Sequence, residues 1–234
     1  MKIDIQCLCL DKRKDLWNKL GEQVLSMTGL EMRPFICGDG SDSTLKYDHI
    51  DVNETPDCFL YGTTETIKNH YNAFLCHKKI AKMALENNVD RLIILEDDSY
   101  LVESRFKTIF FQPAIQDFIA KDNWDLLYLG WWLTKENTED REDLEELWKS
   151  QGICGIDKVP RPPEVKHDIC GFHGVMVNKH FIPHIIDAPI GPLDSLMSRN
   201  FDWIRAYYLW PKIVHVHSTY SYCEKSFTKR NDIQ

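Results

Sequence analysis

DRLIILEDDSYL, residues 90–101, runs four apolar side chains (Leu92–Leu95) straight into three carboxylates, Glu96, Asp97 and Asp98, and then turns apolar again. A short uniformly apolar run predicts a strand buried on both faces, as in parallel sheets covered by helices. Three adjacent negative charges at the end of such a strand repel one another, and desolvated carboxylates cost stability. A positive partner is therefore expected nearby.

The flanking segments supply the rest of the sheet. TETIKNHYNAFLCHKKIAKMALENNV (64–89) has helical spacing, EMRPFIC (31–37) and IDIQCLCL (3–10) are β-rich, and DLWNKLGEQVLSM (15–27) places Leu16, Leu20, Val24 and Met27 on one helix face before Gly29 ends it. Strand, helix, strand, helix, strand implies crossover helices between parallel strands, hence an open α/β sheet. Ligands bind beyond the carboxyl ends of such strands, where both GDGSDS (38–43) and the acidic cluster lie. Further on, residues 105–123 read as helix despite Pro113, and WDLLYLGWWL (124–133) reads as a buried strand with Gly130 marking close approach and Trp131 and Trp132 as core. An acidic stretch (134–152) reads as a solvated loop, and VPRPPEV (159–165) is neither helix nor central strand. Residues 169–186 read as strand, turn and helix start, and the last strand carries His215 and His217. With no repeat or linker, one domain spans residues 1–234.

The 234 residues are 43% hydrophobic and 27% charged, an ordinary globular composition. A formal net charge of -8 argues against a nucleic-acid binder. No signal-peptide core opens the chain and no run approaches a membrane span, so a cytoplasmic protein is expected. The eight cysteines are scattered through mostly apolar segments with no C-x-x-C pair, which predicts buried reduced thiols. No P-loop motif is present.

Carboxylate oxygens crowded at a strand end suit Mg²⁺ or Mn²⁺, which take few protein ligands and leave positions for substrate phosphates. Such an ion would also relieve the repulsion among the three side chains. His215 and His217 alternate on one strand and so point to the same side, where one could complete a manganese site and the other contact a phosphate or acceptor.

The order of motifs resembles glycosyltransferase family 25. IDIQCLCLDKRKDLWNKL (3–20) resembles that family's opening strand and basic turn. FLCHKKIAKMALENNVDRLIILEDDSYL (74–101) resembles its Ser-His helix and LEDD strand, with Cys76-His77 standing at the Ser-His pair. WDLLYLG, GPLDSLM and LWPKIVHVHS resemble its next strand, acidic helix and closing strand. The resemblance implies a GT-A-type fold, a nucleotide-diphospho-sugar donor (uridine favoured, guanosine second), a glycan or other hydroxyl acceptor and a bound Mn²⁺ or Mg²⁺. It places the donor in residues 1–103 and the acceptor in residues 104–234. Asp98 would be the direct metal ligand, Glu96 would contact the ribose or a metal-bound water, and Asp97 and His77 would belong to the donor side. Leu10, Asp11 and Arg13 of the first turn, and Asp39 or Asp42 of the second, would flank the nucleotide.

The family is inverting, which implies a single displacement with a general base on the acceptor hydroxyl. Asp194 in GPLDSLM is the candidate, with helix capping as its other reading; Asp168 and His173 compete with it. Two other classes fit an acidic strand end. One is a metal-dependent phosphoryl hydrolase or nucleotidyltransferase, and the other is a non-catalytic nucleotide- or carbohydrate-binding protein.

Overall fold

The computed structural model describes residues 1–38, 64–133, 155–158, 169–191, 193–199, 203–217, 220–221 and 226–227. Asp39, Asp42, Asp168, most of the GDGSDS turn, the acidic stretch and the Pro-rich segment lie outside these residues, as do the side chains of Trp132 and Cys170.

β1 (Ile3–Cys9) leads through a single 3₁₀ turn (Asp11–Arg13) into α1 (Lys14–Thr28). The helix ends where expected: Gly29 adopts φ 70° and its N–H donates to the Leu25 carbonyl at 2.9 Å, a left-handed cap that suits glycine. β2 (Met32–Ile36), α2 (Thr64–Glu86) and β3 (Arg91–Glu96) complete the alternating half. β1 pairs in parallel with β2 on one side and with β3 on the other.

The second half corrects one expectation. Pro113 does not lie inside a helix; it opens one. A short helical segment, α3 (Glu103–Arg105), continues as a wide π-type turn (Phe106–Phe110), and α4 (Pro113–Ala120) starts at the proline. Proline lacks an N–H and fixes φ, so the first helical position accepts it and the interior does not. β4 (Ser99–Leu101) precedes these, and β5 (Leu126–Leu133), β6 (Gly155–Lys158), β7 (Ile169–Asn178), α5 (Ile182–Asp187), α6 (Leu193–Arg199), β8 (Ala206–Trp210) and β9 (Val214–Val216) follow. Two short strands, β10 (Tyr220–Ser221) and β11 (Ser226–Phe227), pair with each other.

One seven-stranded sheet, β2-β1-β3-β7-β5-β8-β6, takes strands from both halves of the chain. β7 is antiparallel to β3 and β5, and β6 is antiparallel to β8, while β5 and β8 are parallel. Five strands thus run one way and β6 and β7 the other, giving the open, mostly parallel α/β sheet that the alternating elements predict. Alternate residues along each strand serve opposite faces. Leu92 and Ile94 of β3, Leu126 and Tyr128 of β5 and Val175 and Val177 of β7 pack with α2, α5 and α6. Ile93 and Leu95, Leu127 and Leu129, and Met176 pack with α1, α4 and the 106–110 turn. Burial of each large side chain is worth about 2 kcal/mol, which is why LIIL belongs to a strand covered on both sides. Cys7, Cys9, Cys37 and Cys76 are buried free thiols, as expected.

The β4–β9 ribbon lies outside the main sheet, Ser99 opposite Val216, Tyr100 opposite His215 and Leu101 opposite Val214. It seats closely on β5 and β7 because two positions there lack a side chain. A Cβ at Gly130 would stand 2.7 Å from His173 Nε2 and 2.8 Å from the Val214 carbonyl oxygen; one at Gly174 would stand 2.8 Å from Val214 Cβ. Among the described residues no helix is long and apolar enough to cross a membrane.

Candidate functional site at the β1–β3 carboxyl edge

The strand order reverses at β1, from which the chain passes to β2 on one side and later to β3 on the other. In an open α/β sheet this leaves a crevice at the carboxyl ends of the two diverging strands. Glu96 ends β3 there, and Leu10 to Arg13 leave β1 beside it. Backbone hydrogen bonds carry the pairing past the strands: the Asp97 N–H donates to the Leu8 carbonyl (3.0 Å) and the Cys37 N–H to the Cys9 carbonyl (2.7 Å).

The three carboxylates are not equivalent. Asp97 is buried and turns to the β1–α1 turn, which engages both its oxygens. Oδ2 accepts the Leu10 N–H at 2.8 Å, and Oδ1 meets Arg13 Nη1 at 2.6 Å. The same Arg13 nitrogen lies 3.5 Å from Asp98 Oδ2. The required positive charge is therefore built into the chain, in a guanidinium whose side chain is only 11% exposed. Burial pushes the Asp97 carboxyl above the ordinary carboxylate range, and Arg13 and the Leu10 N–H counter only part of that push.

Ser99, which the sequence reading passed over, holds the turn that carries the acids. Its hydroxyl donates to the His173 carbonyl (2.7 Å) and accepts the Glu96 N–H (3.3 Å), fully buried. Asp98 is fixed from the other side, its carbonyl accepting the His217 N–H at 2.8 Å. The ribbon thus brings His215 and His217 to the acidic edge. Both rings lie against Tyr100, with centroids 5.7 and 4.6 Å away, as their alternation predicts. They differ in access: His215 is buried and His217 exposed. Arg105 Nη1 lies 3.1 Å from His215 Nε2. A guanidinium can only donate, so Nε2 accepts, and it offers no second lone pair to a metal in this arrangement.

Among the described residues, no three His, Cys, Asp or Glu side chains gather as a metal cage. Asp98 and, two positions before it, Glu96 at the end of β3 are carboxylates of the chemistry that suits a hard cation bound through one or two carboxylates, with its other oxygens from water and phosphate.

The other predicted residues differ in burial and contacts. His173 is 1% exposed, its ring against Gly130. His77 is buried in α2, Nδ1 2.8 Å from the Ala73 carbonyl and its ring edge-on to Phe172 at 5.3 Å. Burial lowers its pKa to about 4, so it is neutral at physiological pH and part of the core. Asp194 is half-buried in the first turn of α6. Asp11 is exposed in the 3₁₀ turn and Leu10 half-buried beside it.

No protein-family model matches the sequence, and no curated protein matches it. Solved structures similar to the chain include A197 from STIV, 14% identical over 89% of this chain and 82% of that one, with a TM-score of 0.45. Another is a glycosyltransferase involved in the glycosylation of the major capsid of PBCV-1, 12% identical over 86% of this chain and 68% of that one, with a TM-score of 0.39. At such TM-scores these likenesses transfer neither residues nor activity.

Proposed function

We propose that this chain is a glycosyltransferase that takes a nucleoside-diphospho-sugar and moves the sugar, with inversion, to a hydroxyl of a glycan or similar acceptor. The observation that carries the reading is the acidic strand end at the β1–β3 crevice, with Arg13 set among its carboxylates. A diphosphate leaving group develops negative charge, and a site that combines a fixed guanidinium with hard oxygens for a cation suits it. Mn²⁺ or Mg²⁺, held by Asp98 with Glu96 alongside, would supply Lewis-acid stabilisation of that charge. Arg13 faces the diphosphate, and the 10–13 turn lines the nucleotide. Asp194 accepts the proton of the attacking hydroxyl. Uridine diphosphate is the favoured nucleotide and guanosine diphosphate the second, on the motif resemblance to family 25.

Calorimetric titration with a panel of nucleoside diphosphates, with and without Mn²⁺, tests this on wild type and Asp98→Ala. Cation-dependent binding of one nucleotide, lost in the variant, is the expected result. No binding of any nucleotide in either condition would remove the reading, and release of phosphate from simple phosphate esters would then favour a hydrolase. Asp194→Asn should bind donor but not transfer sugar; unchanged turnover would take Asp194 out of the mechanism.

A further inference from the structure

The middle carboxylate of the acidic run has a different task from its neighbours. We propose that Asp97 is a positioning residue that never touches the ligand: it presets the β1–α1 turn and the Arg13 guanidinium against which a diphosphate is bound. The inference rests on the proposed donor class and adds a division of labour within its site. β3 ends at Glu96 and β4 begins at Ser99, so Asp97 and Asp98 form the turn between them, and hydrogen bonding rather than strand alternation sets Asp97 apart. Asp97 has one oxygen on the Leu10 N–H and the other on Arg13, a bridge between residues 84 or more positions apart in sequence.

This pairing also explains why an aspartate suits that position. An uncharged side chain could cap the Leu10 N–H, but only an anion also holds a buried guanidinium in one place. Left without Asp97, Arg13 would still have Asp98 Oδ2 within 3.5 Å and would swing toward it, moving the guanidinium off the diphosphate. The charge of Asp97 therefore keeps the guanidinium where the ligand meets it.

The test is a double-mutant cycle with Asp97→Asn, Arg13→Gln and the pair, read by calorimetry with uridine diphosphate, guanosine diphosphate and inorganic pyrophosphate in the presence of Mn²⁺. Each single change should weaken binding by about 10-fold or more, and the double variant should be no weaker than Arg13→Gln alone, because groups acting as one unit are not additive. Asp97→Asn should keep the Mn²⁺ dependence of binding, which Asp98→Asn should lose. Additive losses, or loss of the Mn²⁺ dependence in Asp97→Asn, would make Asp97 a ligand-contacting group and overturn the proposal. Unchanged binding in a folded Asp97→Asn protein would overturn it too. A thermal-unfolding cycle on the same variants, without ligand, reads the clamp directly: Arg13–Asp97 coupling should appear there even if Asp97→Asn alone is too unstable to titrate. Should wild type bind none of the three probes, the functional reading fails; additive unfolding effects would instead remove the clamp.

Discussion

Gly130→Ala should destabilise the protein, because the fold has used the missing side chain as space. The new methyl carbon would lie 2.7 Å from His173 Nε2, 2.8 Å from His173 Cδ2 and 2.8 Å from the Val214 carbonyl oxygen, against ordinary contacts of 3.4–4 Å. Relief requires a shift of more than half an ångström in a ring that is 1% exposed and in the backbone of β9. Neither group is the loose end of a flexible side chain, so an overpacking cost of about 1–3 kcal/mol is expected. At about 2–4 °C per kcal/mol for a chain of this size, the midpoint should fall by roughly 2–12 °C. Two other glycines calibrate the assay. Gly21, inside α1, would place its methyl carbon 3.5 Å from Met32 Cε, so Gly21→Ala should stabilise by up to about 1 kcal/mol through helix propensity. Gly29 meets nothing within 4 Å but has φ 70°, so Gly29→Ala should cost about 1 kcal/mol from backbone conformation alone. Thermal unfolding of the three variants reads the order directly. A Gly130→Ala midpoint equal to wild type would refute the close seating of the β4–β9 ribbon, and with it the account of how His217 reaches the acidic edge.

Other outcomes follow from buried polar groups. Arg91 is 3% exposed; it donates to the Ile119, Asp90 and Lys121 carbonyls and to Asn178 and Asp122, and lies over the Trp124 ring. Arg91→Met should therefore cost about 3–5 kcal/mol in urea unfolding, and a loss under 1 kcal/mol would contradict the network. His77 drops from the usual 6.5 to about 4 on burial, so the unfolded chain binds the extra proton. Stability should be full above pH 6.5 and decline by about 3 kcal/mol as pH falls to 4, a slope that His77→Leu should flatten. For Asp125, burial alone would raise the pKa, but hydrogen bonds from the Arg205 side chain and backbone and from His180 overcome it and leave it lowered. Its contribution is present above the ordinary carboxylate pKa and lost as pH falls through the lower folded value, so Asp125→Asn should flatten the acid limb of the stability curve below about pH 4. Finally, Ser99→Ala leaves the buried His173 carbonyl and Glu96 N–H without their hydroxyl; about 1–3 kcal/mol of stability should be lost, together with donor affinity.

Local pattern determined much of this molecule. The apolar run Leu92–Leu95 could only be a strand covered on both faces, the spacing of Leu20, Val24 and Met27 could only be one face of a helix, and Gly29 could only be its cap. The acidic cluster and the His215–His217 alternation were equally legible, because both are properties of neighbouring residues. Reading residues 105–123 as one helix through Pro113 was wrong, because a proline without an N–H suits the first position of a helix, and there it starts α4. What separates Asp97 from Glu96 and Asp98 is not local at all. Their side chains have the same chemistry, and only the parallel pairing of β1 with β3 brings Arg13 and the Leu10 N–H across 84 and 87 positions to choose the middle one. The same holds for Arg105 against His215, 110 positions apart, and for Ser99 under His173. Spacing along the chain shows which groups are present at an edge. Which of them the β1–α1 turn takes as its partner is set by strand order and by the low-dielectric contacts that strand order creates.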